Sequence, residues 1–226
     1  MVLGPFDSTL LLLFGAILLG IVAQGWVSSA FRKYSKVRSA RGITGAQAAR
    51  HVLDINGLQN VDIEMVAGKL SDHYDPKAKV LRLSPDVYKS ASLAAVGVAA
   101  HEAGHAIQDG RGYMPMRIRH RIFPVANLGS RMLWPAVIGG FFLGFRPLLW
   151  LGIALYSFAV LFSVVTLPVE MDASRRALVN LREGAILAPQ EIDGSKKVLT
   201  AAAMTYVAAT LVAVLQLIRL LALARD

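Results

Sequence analysis

Hydrophobic positions along this 226-residue chain are bunched into long runs rather than spread evenly. Crossing a bilayer takes about 20 consecutive, mostly apolar residues. Residues 10–27, LLLLFGAILLGIVAQGWV, meet that requirement, as do Leu148–Leu167 and Val198–Ile218. A further arm is expected from about Phe123, turning back at Gly144-Phe145-Arg146-Pro147 into the Leu148 run. It carries Arg131, which is expected to snorkel towards a headgroup layer. The N-terminal run has no Lys or Arg before it, so it reads as a span rather than a cleaved signal peptide.

Between the first and second spans the periodicity changes. Thr44 followed by GAQAARHVL has helical spacing with a capping threonine. Val61–Val66 alternates apolar and polar, as a strand does, and Val80–Leu83 reads as a second short strand. Asp75-Pro76 marks the turn before it. Ser84-Pro85 starts one helix, and another is expected from about Ser92 through His105, ending near Gly110 or Gly112. The predicted architecture is an α-helical integral membrane protein of about four transmembrane helices with a small α+β domain. The expected segments are a first span at 1–28, an α+β domain at 29–122, a membrane hairpin at 123–167, a helical segment at 168–197, and a fourth span with tail at 198–226.

Composition sharpens this picture. Hydrophobic residues make up 55% and charged residues only 17%, too apolar for an ordinary soluble domain. The net charge of +9 comes from Lys and Arg flanking the apolar runs, which favours a lipid surface over nucleic acid. Arg32, Lys33, Lys36, Arg38 and Arg41 follow the first run; Arg175, Arg176, Arg182, Lys196 and Lys197 follow the third. By the positive-inside rule both segments face the cytoplasm. Cysteine is absent, which excludes disulfides, thiolate metal ligands and a Cys nucleophile.

The chemistry-bearing motif is His101-Glu102-Ala103-Gly104-His105. Positions i and i+4 share a helix face, so both imidazoles can reach one ion. Zinc suits two imidazoles and a carboxylate, with one position left for water. Glu102 is then the general base that takes the proton of an acidified water. Small residues around the motif (Ala94, Ala95, Gly97, Ala99, Ala100) permit close helix packing. A third histidine six residues after His105 is ruled out, because that position is Arg111. Glu170, in LPVEMDASRR, is the expected third ligand, with Pro168 starting its helix. Two spans separate it from His105, so both lie on one side of the membrane. The alternative for Glu170 is a first-turn glutamate complementing a helix dipole. Glu183, Glu191 and Asp193 are rivals in more polar surroundings.

Several stretches together resemble the YugP-type membrane zinc metallopeptidases: SDHYDP at 71–76, LRLS at 81–84, AAHEAGHAIQ at 99–108, LPVEMDASRRAL at 167–178 and TYVAA at 205–209. The likeness runs from about Tyr34 to Ile218. It implies a neutral zinc peptidase anchored in the bacterial cytoplasmic membrane; the ligand set itself predicts about one zinc per chain. More distantly the chain is similar to HtpX-type and CAAX-processing membrane proteases. Those commonly carry an Asp four residues after the ligand glutamate; here Ser174 stands at that position and an Asp occurs at 172.

His73 and Tyr74 are open to a role as oxyanion donors, Asp172 to one behind a ligand histidine if its helix starts late, and Tyr206 to one facing the zinc. Each has a plainer reading, as a turn residue, a helix-surface carboxylate and a packing tyrosine. Val80–Leu83 offers an edge for an extended substrate, or only covers the domain core. The leading expectation is a membrane-embedded zinc endopeptidase, acting from the cytoplasmic side on protein or peptide substrates at the bilayer. A site-2-like intramembrane protease and a non-enzymatic scaffold with a vestigial motif are the alternatives. Nothing in the sequence specifies an oligomeric state.

Overall fold

The structure is a computed structural model that describes residues 8–225. The first seven residues of the expected 1–28 span, and Asp226, lie outside the described residues. Seven helices and three strands follow in the order α1 (Ser8–Tyr34), α2 (Gly45–Ile55), β1 (Asp62–Met65), β2 (His73–Asp75), β3 (Val80–Leu83), α3 (Pro85–Tyr88), α4 (Leu93–Gly110), α5 (Met114–Phe142), α6 (Arg146–Glu183) and α7 (Pro189–Arg225). The chain forms two compact units. One comprises residues 24–113 and 169–203; the other comprises the described residues up to 23, residues 114–168 and those from 204 onward.

In the first unit, α2 begins with a capping box: the Thr44 hydroxyl accepts from the Gln47 amide, and the Gln47 side chain accepts from the Thr44 amide. Such caps stabilise a helix start by about 1 kcal/mol. Ser92 caps α4 by accepting from the Ala95 amide. Ser84 occupies the cap position of α3, but its hydroxyl donates to the Asp72 carboxylate instead. The sheet has the order β1-β3-β2, with β1 parallel and β2 antiparallel to β3. The expectation that Val80–Leu83 offers a free edge is therefore corrected. That strand is central, and its positions Val80, Leu81 and Leu83 lack clean alternation because side chains on both of its faces are buried. The edges belong to β1 and β2. α4 is buried along most of its length, and Ala94 joins Ala30, Val198 and Ala201 in one apolar cluster.

In the second unit, α5 and the N-terminal part of α6 form an antiparallel hairpin turning at Gly144, whose φ is +62°. The two helices meet through small residues: a β-carbon on Gly129 would lie 2.1 Å from the Leu155 carbonyl oxygen. Leu133, Ile153, Leu220 and Ala224 form the apolar cluster of this unit. Large apolar side chains such as Leu11, Phe14, Leu18, Phe141 and Phe142 are exposed, as lipid-facing residues are.

Three of the described helices are long and apolar enough to cross a membrane: Leu10–Tyr34, Arg146–Glu183 and Pro189–Ala222. The helix α5, expected as a further span, is not among them. It carries Arg117, Arg119, Arg121 and Arg131, which dilute its apolar run. One boundary is corrected outright. Pro168 does not start a helix; it lies inside the 38-residue α6. A proline removes one backbone donor and crowds the preceding turn, yet the helix continues across it. The division between the two units falls at this proline, between Pro168 and Val169.

Candidate metal centre

The site is built within the unit formed by residues 24–113 and 169–203. α4 presents His101 and His105 one turn apart, with ring centroids 4.8 Å from each other in an edge-to-face arrangement. The segment of α6 after Pro168 presents Glu170, which is only 3% exposed. Its Oε2 lies 3.2 Å from His101 Nε2 and 3.6 Å from His105 Nε2. One ligand atom from each of the three side chains lies within 4.8 Å of the others, the sole such His/Asp/Glu group among the described residues.

The far side of each ring is also occupied. His101 Nδ1 is 3.1 Å from the Ser174 hydroxyl, one helical turn beyond Glu170. His105 Nδ1 is 3.0 Å from Gln108 Oε1. The Gln108 amide nitrogen donates to the Val169 carbonyl at 2.8 Å and to the Asp172 carboxylate at 2.9 Å. Asp172 in turn accepts from Arg175 at 3.2 Å and from Arg176 at 2.5 Å. Both rings thus turn their Nε2 atoms towards Glu170 and their Nδ1 atoms away.

The rings and the carboxylate are electrostatically coupled. Burial alone would favour a neutral His105. Its hydrogen bond to Glu170 and the nearby charge of Glu102 outweigh burial and raise its pKa above the usual imidazole value. Two imidazole nitrogens and a buried carboxylate oxygen around one point are a donor set that suits zinc. Glu102 is half-buried beside them on α4.

His73 is exposed on the edge strand β2, with its Nδ1 donating to the Ser71 carbonyl. Its neighbour Tyr74 is buried and donates to Asp109, and burial followed by that contact raises its phenol pKa. Asp172 contacts neither ring and reaches His105 only through Gln108. Tyr206 is exposed on α7, in the unit that contains the α5–α6 hairpin. Of the rival carboxylates, Glu191 accepts from the Ala40 and Ala188 amides. The dipole reading of Glu170 falls away, since it is deep within α6 rather than in a first turn. Gln108 and Ser174 were not anticipated as site residues. The signals were present: Gln108 follows His105 at i+3, and Ser174 follows Glu170 at i+4, on the same helix face.

Fold and site together define a helical protein with membrane-length helices and a two-histidine, one-glutamate cluster suited to zinc. Residues 9–225 match the family described as "Putative neutral zinc metallopeptidase", and the chain belongs to that family. It is 48% identical over 204 residues to the protein named "Putative membrane protease YugP" of Bacillus subtilis (strain 168), covering 90% of this chain and 91% of that one. No solved structure gives a significant match.

Proposed function

We propose that this protein is a membrane-embedded zinc endopeptidase that hydrolyses peptide bonds in membrane or membrane-proximal proteins. The observation that carries the reading is the convergence of His101 Nε2, His105 Nε2 and Glu170 Oε2 from two helices, beside Glu102. These three atoms would hold the ion. A bound zinc supplies Lewis acidity, polarising a carbonyl and acidifying water. The Glu102 carboxylate takes the proton of the attacking water and delivers it to the leaving amine nitrogen. Ser174 and Gln108 hold the two rings in orientation.

The membrane reading rests on three long apolar helices; we take the more polar α5 as a fourth crossing. In this topology residues 29–122 and 168–197 face the cytoplasm of a bacterial cell, where the active site lies. The intramembrane alternative is disfavoured because α4, which carries both histidines, is not one of the span-length apolar helices.

Zinc content and casein cleavage of detergent-purified protein test the proposal. Wild type should carry about one zinc per chain. Glu102→Ala should retain zinc and lose cleavage, and Glu170→Ala should lose both. Wild-type protein that takes up no zinc would sink the enzyme reading. Zinc retained with full activity in Glu170→Ala would move the third ligand elsewhere.

A further inference from the structure

The side chain of Gln108 is fully buried, and all of its polar atoms have partners. An amide group has one acceptor oxygen and an NH2 with two donors. The two partners on one side of Gln108 are the Val169 carbonyl and the Asp172 carboxylate, at 2.8 and 2.9 Å. A carbonyl and an ionised carboxylate can only accept. Arg176 at 2.5 Å and Arg175 at 3.2 Å favour the ionised form of Asp172. The Gln108 NH2 must therefore face Val169 and Asp172, which turns Oε1 towards His105 Nδ1.

An amide oxygen can only accept, so Nδ1 must donate to it and carry the proton. The lone pair is then left on Nε2, the atom 3.6 Å from Glu170. The rival amide orientation would bring an N–H against a protonated or ligating ring and oppose the Asp172 carboxylate with an oxygen. Ser174 imposes no such choice on His101, because a hydroxyl donates or accepts equally well.

We propose that Gln108 is a positioning residue that fixes the metal-binding tautomer of His105, and that Asp172, anchored by Arg176, fixes Gln108 in turn. Asp172 was expected to stand directly behind a ligand histidine; its action is instead indirect, through an amide carried on the metal helix itself. This inference rests on the zinc reading of the site.

The test is zinc affinity, measured by competition with a chromophoric chelator on detergent-purified full-length protein, with no activity assay needed. Gln108→Leu is similar in size and removes the acceptor. It should weaken zinc binding by about 10- to 100-fold, the usual effect of losing such a partner. Asp172→Ala leaves Gln108 and its packing against His105 in place but removes the carboxylate that orients the amide. It should weaken zinc binding in the same direction as Gln108→Leu, by about 10-fold. Affinity of Gln108→Leu equal to wild type would overturn the proposal. So would wild-type affinity in Asp172→Ala, because the loss in Gln108→Leu would then reflect packing rather than hydrogen-bond polarity. If wild type itself binds no zinc, the metal reading fails and not merely the role of Gln108.

Discussion

A β-carbon on Gly104 would lie 2.6 Å from the carbonyl oxygen of Ala173. The middle of the His-Glu-Ala-Gly-His turn is therefore a point of very close approach between the α4 and α6 backbones. Glu170 precedes Ala173 by about one turn and Ser174 follows it directly, so the approach delivers both to the histidines. The glycine is required by the neighbouring helix rather than by its own backbone conformation.

Replacing Gly104 with alanine should force the two helices apart and cost about 1–3 kcal/mol, the usual penalty of overpacking a close contact. The separation should also pull Glu170 from the rings, so zinc content should fall even in protein that remains folded. Thermal unfolding and zinc content measured on one preparation check this. Unchanged zinc affinity in Gly104→Ala would show that the contact is not what sets the ligand geometry.

Ser174 lies one helical turn beyond Glu170, and its hydroxyl is 3.1 Å from His101 Nδ1. Removing it in Ser174→Ala leaves that nitrogen without its partner and should weaken zinc binding about 10-fold, at the low end for such contacts. Ser174→Asp supplies a stronger acceptor and should bind zinc at least as tightly as wild type. Chelator competition on both variants decides the matter. If alanine and aspartate behave alike, the hydroxyl does nothing for His101.

The parts of this site legible in the sequence are those governed by local geometry. Two histidines at i and i+4 share a face whatever surrounds the helix, and a capping threonine or serine announces a helix start from its neighbours alone. Glu170 was legible through chemistry, because two imidazoles suit zinc best with a carboxylate beside them, and the structure brings Glu170 to both rings. The pairing of Gln108 with Asp172 was opaque because it depends on how α4 and α6 pack side by side, and helix spacing on either one does not encode that. Pro168 misled because its local preference for a first turn was overridden by a helix continuing through it. Val80–Leu83 was identified as a strand, but its central position followed from pairing with residues on both sides.

Asp75 provides a pH-dependent test of the small sheet. Its carboxylate accepts from Arg82 at 2.9 Å and from the Lys77 and Ala78 amides, and it titrates at about 2 instead of 3.8, chiefly through the Arg82 hydrogen bond. A folded-state value below the unfolded one stabilises the fold above pH 4 or so, and that contribution disappears as pH falls through about 2. Asp75→Asn keeps an oxygen for the two amides and removes the charge. Its melting temperature should lie below wild type at neutral pH, and the gap should close between about pH 4 and pH 2. A gap of constant size across that window would mean that the Arg82 pair contributes nothing.

The topology can be tested at a point where the helices disagree with the simplest count. Three helices have the length and apolarity of spans, and α5 does not. If α5 stayed on one side of the membrane, only one crossing, that of α6, would separate His105 from Glu170, and the two could not share an ion. The proposed centre therefore requires α5 to cross despite Arg131, whose long side chain can reach a headgroup layer while its methylenes remain in the apolar region. A periplasmic reporter inserted at Gly144, in the turn between α5 and α6, should be active, as should one fused to the C-terminus. The same reporter placed after Gly184, in the basic segment following α6, should be silent. Activity at Gly184 together with silence at Gly144 would invert the orientation but leave the centre intact. Equal behaviour of reporters at Gly112 and Gly144 would leave α5 on one side and separate the histidines from the glutamate.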